Sequence, residues 1–341
     1  MAPPEAPDVL DEPSPISRPT RPLLTDIAET APERRCAQCG GVVGQDDYCT
    51  VCGTKARPLR DHIEQSPAAW VAGVCDRGLV HSRNEDALAT WAQSQPSTRA
   101  VLVVCDGVTT AEDSDVAAAA AAAAALQVLQ PPPPHGVGGP DAADAIARHT
   151  LAAAAAAANT AVIAHTDPSS EHPASCTLAM AVIQDGTLWA GVIGDSRVYL
   201  LPDGEPGQVL LGDDSVAQSL IDAGTDRASA ENSAQAHAIT KWLGLDSPDT
   251  TPRVASSSLA STGWVLVCSD GLWNYASTPD QLRAQLDAAA DGMAADDGAA
   301  DDPLAVAGAL VEWANSQGGR DNITVALARV GTRSGESSER V

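Results

Sequence analysis

Val101-Leu102-Val103-Val104-Cys105-Asp106-Gly107 and Trp264-Val265-Leu266-Val267-Cys268-Ser269-Asp270-Gly271 are the stretches that decide the fold. Each is a continuous apolar, largely β-branched run that stops at an Asp-Gly pair, which predicts a buried β-strand with a carboxylate at its end. A strand end holds that carboxylate rigidly. The glycine after it allows a sharp turn or the close approach of a ligand. Glu85-Asp86 and Asp321-Asn322 put further acidic groups in the same setting. Carboxylates gathered at strand ends predict a site for a hard divalent cation, Mg²⁺ or Mn²⁺, which prefers oxygen ligands.

Working outward, residues 71–75 and 87–91 read as strands flanking a polar turn and are expected to pair as an antiparallel hairpin. Residues 115–129 and 141–165 read as long Ala-rich helices, the first stopped by Pro131-Pro132-Pro133-Pro134. Asp185-Gly186 between apolar runs 176–183 and 187–193 is a hairpin signal. Another strand starts at Arg197, and a short helix is expected at 216–223. Thr278-Pro279-Asp280-Gln281 has the form of a capping box opening a helix to about Ala290. Residues 294–302 read as an acidic, mobile insert. Residues 303–316 form a helix with Leu304, Ala307, Val311 and Ala314 on one stripe, and 323–330 form the last strand. Long helices that come in pairs between strand hairpins argue for an α+β protein with antiparallel sheets covered by helices, not a doubly wound parallel sheet.

The chain has 341 residues, with 20 basic and 45 acidic, for a formal charge of −25. That balance argues against general binding to nucleic acid or anionic membrane. The longest small-apolar stretch, 116–126, is too short to span a bilayer. The start, Met1-Ala2-Pro3-Pro4-Glu5, lacks the basic and apolar regions of a secretory signal, so a cytoplasmic location is expected.

Cys75, Cys105, Cys176 and Cys268 occur singly, whereas Cys36, Cys39, Cys49 and Cys52 form two Cys-x-x-Cys pairs, each followed by Gly. Four thiolates at this spacing predict a structural zinc site rather than unpaired or redox-active cysteines. So small a unit has no core of its own, and the metal would supply its folding energy. Residues 40–48, between the pairs, hold two acidic residues and no basic one, which disfavours nucleic acid and leaves protein contact as the expected role. The expected order is therefore a disordered Pro-rich acidic segment 1–33, a zinc ribbon 34–57, a linker 58–68, a large domain 69–331 and a disordered tail 332–341.

Five motifs then appear in order: Arg83-Asn84-Glu85-Asp86, Val104-Cys105-Asp106-Gly107, Gly194-Asp195-Ser196-Arg197, Ser269-Asp270-Gly271-Leu272 and Asp321-Asn322-Ile323-Thr324. With Ala174-Ser175-Cys176-Thr177 and the stretch 237–244, they make residues 70–331 resemble the type 2C, metal-dependent serine/threonine protein phosphatases. The resemblance implies a four-layer αββα sandwich of two antiparallel sheets. It implies that Asp106 bridges two Mn²⁺ or Mg²⁺ ions, that the Gly107 carbonyl binds one, and that Asp270 and Asp321 bind the other. Glu85 and Asp86 would act at or near the sphere, partly through water. Asp195 would help hold a third ion shared with Asp270. Asp106, Asp270 and Asp321 would thus carry catalysis, on phosphorylated protein substrates that include a Ser/Thr kinase and its targets.

Two departures matter. His81 stands where the family usually has a phosphate-binding Arg, and it is assigned as a candidate proton donor to the leaving alkoxide. Val108-Thr109-Thr110 replaces a Gly-rich continuation after Asp-Gly. Arg77 and Arg83 are candidate replacements for the missing Arg, and Arg197 is expected to be a structural ion-pair partner. Ser196 as a nucleophile is disfavoured, because the last histidine is His237. Cys105 and Cys176 fit core positions better than a nucleophile's role. The leading reading is a phosphatase, and the alternative is a pseudophosphatase, a phosphoprotein-binding or scaffold protein on the same fold.

Overall fold

Alternation along the deciding strands sets the layers. In β4 (Arg99–Cys105), Val101, Val103 and Cys105 belong to one apolar cluster, while Ala100, Leu102 and Val104 belong to another. Successive side chains of a strand point to opposite faces, so this strand is covered on both sides. In β12 (Gly263–Cys268), Trp264, Leu266 and Cys268 join a third cluster, and Val265 and Val267 join the one shared with β4. The shared cluster is the interface between two sheets, and the other two clusters lie under helices.

The computed structural model describes residues 34–331 apart from 37, 109, 133–138, 237 and 294–300. The expected disordered ends 1–33 and 332–341, and nearly all of the 294–302 insert, lie outside the described residues. The chain divides into two units, Met1–Ala56 and Arg57–Val341.

In chain order, the larger unit contains β1 (His62–Ala68), β2 (Val71–Asp76), β3 (Ala87–Ala92), β4, α1 (Ser114–Leu129), α2 (Pro140–Ala164), β5 (Ser175–Cys176), β6 (Leu178–Gln184), β7 (Thr187–Ile193) and β8 (Arg197–Pro202). It continues with β9 (Gln208–Val209), α3 (Val216–Asp222), α4 (Arg227–Glu231), β10 (Leu243–Gly244), β11 (Arg253–Ser258), β12, α5 (Asp270–Trp273), α6 (Pro279–Met293), α7 (Pro303–Ser316) and β13 (Ile323–Val330). One sheet runs β1-β2-β13-β12-β8-β9, the other β11-β7-β6-β4-β3, and β5 pairs separately with β10. All pairings are antiparallel.

Helices α1 and α2 cover the five-stranded sheet. Ala117, Ala118, Ala121, Ala122, Ala125 and Leu129 of α1 meet Leu151, Ala154, Ala155, Ala158 and Val162 of α2 in the same cluster as Val101 and Val103. The three- and four-residue spacings put each set on one helix face. Helices α6 and α7 cover the six-stranded sheet through Leu282, Leu286, Val306, Leu310 and Val311. The result is the expected α+β sandwich of two antiparallel sheets between helices.

Two expectations are corrected. Residues 71–76 and 87–92 are not a hairpin: β2 pairs with β1 and β13, and β3 pairs with β4 in the other sheet. The intervening segment 77–86 crosses between the sheets, and it carries Glu85 and Asp86. The linker also does not extend to residue 68, because 62–68 is the edge strand β1, with a register shift between Gln65 and Ala68.

The capping box forms as expected, with Thr278 N–H donating to Gln281 Oε1 at 3.1 Å and Gln281 N–H to Thr278 Oγ1 at 3.3 Å. Asp185 and Gly186 both take positive φ, 50° and 76°, which suits the tight β6–β7 turn.

No described helix is long and apolar enough to cross a membrane.

Candidate active site

Register places the acidic strand ends together. Ala87 lies opposite Cys105, so Asp86 and Asp106 flank one end of the five-stranded sheet. Cys268 lies opposite both Val325 and Arg197, which brings Asp270, Asp321 and Asp195 to one end of the other sheet.

Asp86 joins the two ends. Its Oδ2 accepts from Ser269 Oγ at 2.8 Å and from Thr324 Oγ1 at 2.7 Å, and Thr324 N–H donates to Ser269 Oγ at 3.0 Å. The side chain is buried, and Oδ1 has no hydrogen-bond partner among the described residues. A buried carboxylate held by one oxygen, with the other presented unpaired, needs a compensating partner.

Asp106 is placed through its backbone. Its N–H donates to Thr177 Oγ1 at 3.0 Å, its carbonyl accepts from Thr177 N–H at 2.8 Å, and Thr177 Oγ1 lies 2.8 Å from Ser196 Oγ. The Ala174–Thr177 motif therefore clamps the Asp106 strand end to the Gly194–Arg197 turn. Asn322 clamps the crossing segment: its Oδ1 accepts from Glu85 N–H at 2.8 Å, and its Nδ2 donates to the Arg77 and Arg83 carbonyls at 2.8 and 3.1 Å. Gly78, at φ 75°, has no room for a side chain, since a Cβ there would run into the Asp321 carbonyl.

The electrostatics agree with this grouping. Burial pushes the Asp106 carboxyl well above the usual range, and repulsion from Asp86, Asp270, Asp195 and Asp321 pushes it further. Asp86 is raised to about 7 by burial, against the Thr324 and Ser269 hydrogen bonds and with added repulsion from Asp321 and Asp270. Asp195 is raised by burial, then by Asp270 and Asp213. Asp86, Asp106 and Asp195, gathered with Asp270 and Asp321, form a donor set suited to hard cations, which would supply the missing positive charge. Together with the orphaned Asp86 Oδ1, this fits divalent metal. Asp270 lies at the start of α5, with Oδ2 accepting from Asn274 Nδ2 at 2.9 Å.

Glu85 is placed differently. Its Oε1 accepts from Arg83 Nη2 at 2.7 Å, from Arg83 Nε at 3.1 Å and from Ser114 Oγ. Those bonds make it a brace between the crossing segment and the start of α1; it is Asp86 that joins the carboxylate group. Gly107 packs against this brace, where a Cβ would lie 2.6 Å from the Glu85 carbonyl.

His81 Nε2 lies 3.4 Å from Asp321 Oδ1, so this histidine reaches the edge of the acidic group. The guanidiniums considered as replacements are both engaged elsewhere: Arg77 with Asp61 and the His81 carbonyl, Arg83 with Glu85 and the Ala111 carbonyl.

Arg197 is structural. It donates to Asp213 Oδ2 from Nε and Nη2 at 2.8 and 2.6 Å, both side chains are buried, and the guanidinium lies 3.6 Å from the Trp273 ring centroid. The Trp273 indole N–H in turn donates to the Asp195 carbonyl at 2.9 Å. Asp214 closes the same turn, its N–H donating to the Gly194 carbonyl at 2.8 Å and its Oδ1 accepting from Arg253 at 2.6 Å. Sequence reasoning missed Asp213 and Asp214. The signal available was an Asp-Asp-Ser run ahead of a helix start.

In the smaller unit, the Cys36, Cys39, Cys49 and Cys52 sulfurs all lie within 4.8 Å of one another. Among the described residues, no other ligating groups are packed so tightly, and the carboxylates above are spaced more widely. Gly40 and Gly53 both adopt φ 70°, and their N–H groups return to the Cys36 and Cys49 carbonyls at 2.8 and 2.9 Å. Two such knuckles presenting four thiols fit a tetrahedral zinc ion.

Acidic strand ends converging from both sheets of a helix-covered sandwich form a carboxylate cluster suited to divalent metal. The family model for protein phosphatase 2C matches residues 80–306, and the chain belongs to that family. The serine/threonine protein phosphatase PstP of Mycobacterium tuberculosis is 30% identical over 259 residues, covering 75% of this chain and 44% of that protein. Protein phosphatase PhpP of Streptococcus pneumoniae is 33% identical over 159 residues, covering 46% and 58%. The chain thus spans about half the length of the curated relatives it matches. The crystal structure of the M. tuberculosis phosphatase PstP/Ppp superposes with a TM-score of 0.60 at 28% identity, over 76% of this chain and 98% of that one. A PstP catalytic domain in complex with two manganese ions gives 0.57 at 26% identity, over 79% and 99%.

Proposed function

We propose that the protein is a metal-dependent phosphatase that hydrolyses phosphoserine and phosphothreonine in protein substrates. The observation that carries this reading is the convergence of Asp86, Asp106, Asp195, Asp270 and Asp321, with Asp86 Oδ1 left unpaired. Asp106, Asp270, Asp321 and the Gly107 carbonyl would hold two Mn²⁺ or Mg²⁺ ions, Asp86 would act beside them, and Asp195 with Asp270 would hold a third. Bound divalent ions neutralise a phosphate dianion and lower the pKa of a coordinated water, which supplies a nucleophile at neutral pH.

The chain's own contribution is positioning. Ser269 and Thr324 fix the Asp86 carboxylate, Thr177 fixes the Asp106 backbone, and Asn322 fixes the crossing segment. Trp273, Arg197 and Asp213 fix the Asp195 turn. No protein nucleophile is required, in keeping with the burial of Cys105, Cys176 and Ser196. His81, 3.4 Å from Asp321 at the edge of the group, would give a proton to the departing Ser or Thr oxygen. The thiol cluster would hold a structural zinc, and the ribbon would contact protein. A partner Ser/Thr kinase and its targets are the proposed substrates, in the cytoplasm.

The test is phosphate release from a phosphothreonine peptide with Mn²⁺ and with EDTA, for the wild type and His81→Ala. Mn²⁺-dependent release supports the phosphatase. Loss of the alkaline limb of the pH–rate profile in the variant supports the proton donor. No release from folded, metal-loaded protein across several peptides would favour a phosphoprotein-binding scaffold instead.

A further inference from the structure

Leu79 and Val80 are 57% and 67% exposed, and they immediately precede His81. Two consecutive apolar side chains in water are costly to leave uncovered, and their setting is rigid. Leu79 and Val80 N–H groups donate to the Gly319 carbonyl at 2.8 and 3.2 Å, and Gly78 N–H donates to Asp76 Oδ1 at 2.8 Å. Gly319 is itself held close, since a Cβ there would lie 2.8 Å from Leu79 Cγ. The segment that pins this ledge, 319–321, ends in Asp321, and His81 returns to Asp321 at 3.4 Å. The ledge is thus continuous with the edge of the carboxylate group and is built on the same backbone.

We propose that Leu79 and Val80 form a subsite for an apolar side chain next to the phosphorylated residue of a peptide substrate, so that the protein selects phosphopeptides with apolar neighbours. The inference rests on the phosphatase reading above. The occupant is substrate because a phosphoresidue approaching Asp321 past His81 brings its neighbouring residues over this ledge. A rigid backbone presenting exposed apolar side chains loses little entropy on binding, and covering them removes apolar surface from water. The overall charge of −25 does not oppose this, since an apolar neighbour adds no negative charge to the substrate.

The experiment compares kcat/KM for two phosphothreonine peptides that differ only in carrying Leu or Ser on both sides of the phosphothreonine. The wild type and the Leu79→Ser/Val80→Ser double variant are assayed in parallel, with p-nitrophenyl phosphate as a substrate that has no neighbours. The wild type should prefer the Leu peptide by roughly tenfold, in the range of apolar pocket discrimination. The double variant should lose that preference, with its kcat for p-nitrophenyl phosphate unchanged. Both exposed positions accept Ser without disturbing the core, and equal thermal melting of the two proteins verifies this. Intact p-nitrophenyl phosphate hydrolysis with no peptide preference, or a preference kept by the variant, overturns the subsite alone. A wild type inactive on every substrate overturns the phosphatase reading and the subsite with it.

Discussion

Asp86, at the start of one sheet's edge strand, accepts a 2.7 Å hydrogen bond from Thr324 in the middle of the other sheet. The contact spans the sandwich at its acidic end, and the Ser269 hydroxyl repeats it at 2.8 Å. Both hydroxyls use the same carboxylate oxygen and so aim the other one. Thr324→Val keeps the shape but removes one donor. The half-saturating Mn²⁺ concentration should rise roughly tenfold, because partners that orient a ligand tune metal affinity by about that much. A Mn²⁺ titration of phosphate release reads this. An unchanged half-saturation would mean that Thr324 does not orient the ligand.

A pH dependence of stability follows from the His62–Asp76 pair on β1 and β2. His62 Nδ1 is 2.8 Å from Asp76 Oδ2, and this bond raises the His62 pKa above 6.5 against partial burial. Burial pushes Asp76 up, but the His62 ring, the Gly78 N–H and the Asn315 amide outweigh it and hold the carboxyl below 3.8. The histidine's contribution is complete below 6.5 and is lost as pH rises through the higher folded value. The carboxylate's contribution is complete above 3.8 and is lost as pH falls through the lower folded value. His62→Gln should therefore cost about 0.5 kcal/mol near pH 6, discounted for a half-exposed ring, and almost nothing near pH 9. Urea unfolding across that range measures it, and a pH-independent difference would contradict it.

For the ribbon, the close packing of four thiols predicts one tightly held zinc ion. Replacing it with Co²⁺ should give thiolate-to-metal charge-transfer absorption, which carboxylate sites do not produce. Cys49→Ser should weaken that band and the metal affinity, and with them the backbone order of the small unit, since a unit of this size has no core to fold on without metal. A band of unchanged intensity in the variant would rule out the four-thiolate site.

The acidic strand ends were legible because chemistry and pattern coincide there. Val101–Cys105 and Trp264–Cys268 are apolar on both faces, so the Asp-Gly pairs after them stand out. Partners were not legible. The run at 71–76 has equal apolar character on both faces, and nothing local told whether it pairs with 87–92 or with 323–330. Strand β1 was invisible because an edge strand reading His-Ile-Glu-Gln-Ser-Pro-Ala has the composition of a linker and tolerates Pro67. β11 escaped for a similar reason, being Arg-Val-Ala-Ser-Ser-Ser on the edge of the other sheet. Glu85 and Asp86 look alike as sequence. Only the fold separates the one braced by Arg83 and Ser114 from the one held by Ser269 and Thr324.

The most direct measurement is Mn²⁺-dependent phosphate release from a phosphothreonine peptide by the wild type and by Asp270→Ala, each shown to be folded by its thermal melt. The expected result is turnover in the wild type that EDTA abolishes and that falls at least about a hundredfold in the variant, because Asp270 is proposed to hold the metal ions directly. Turnover that persists in EDTA, or in Asp270→Ala at the wild-type rate, would contradict the assignment of the converged carboxylates as the catalytic metal site.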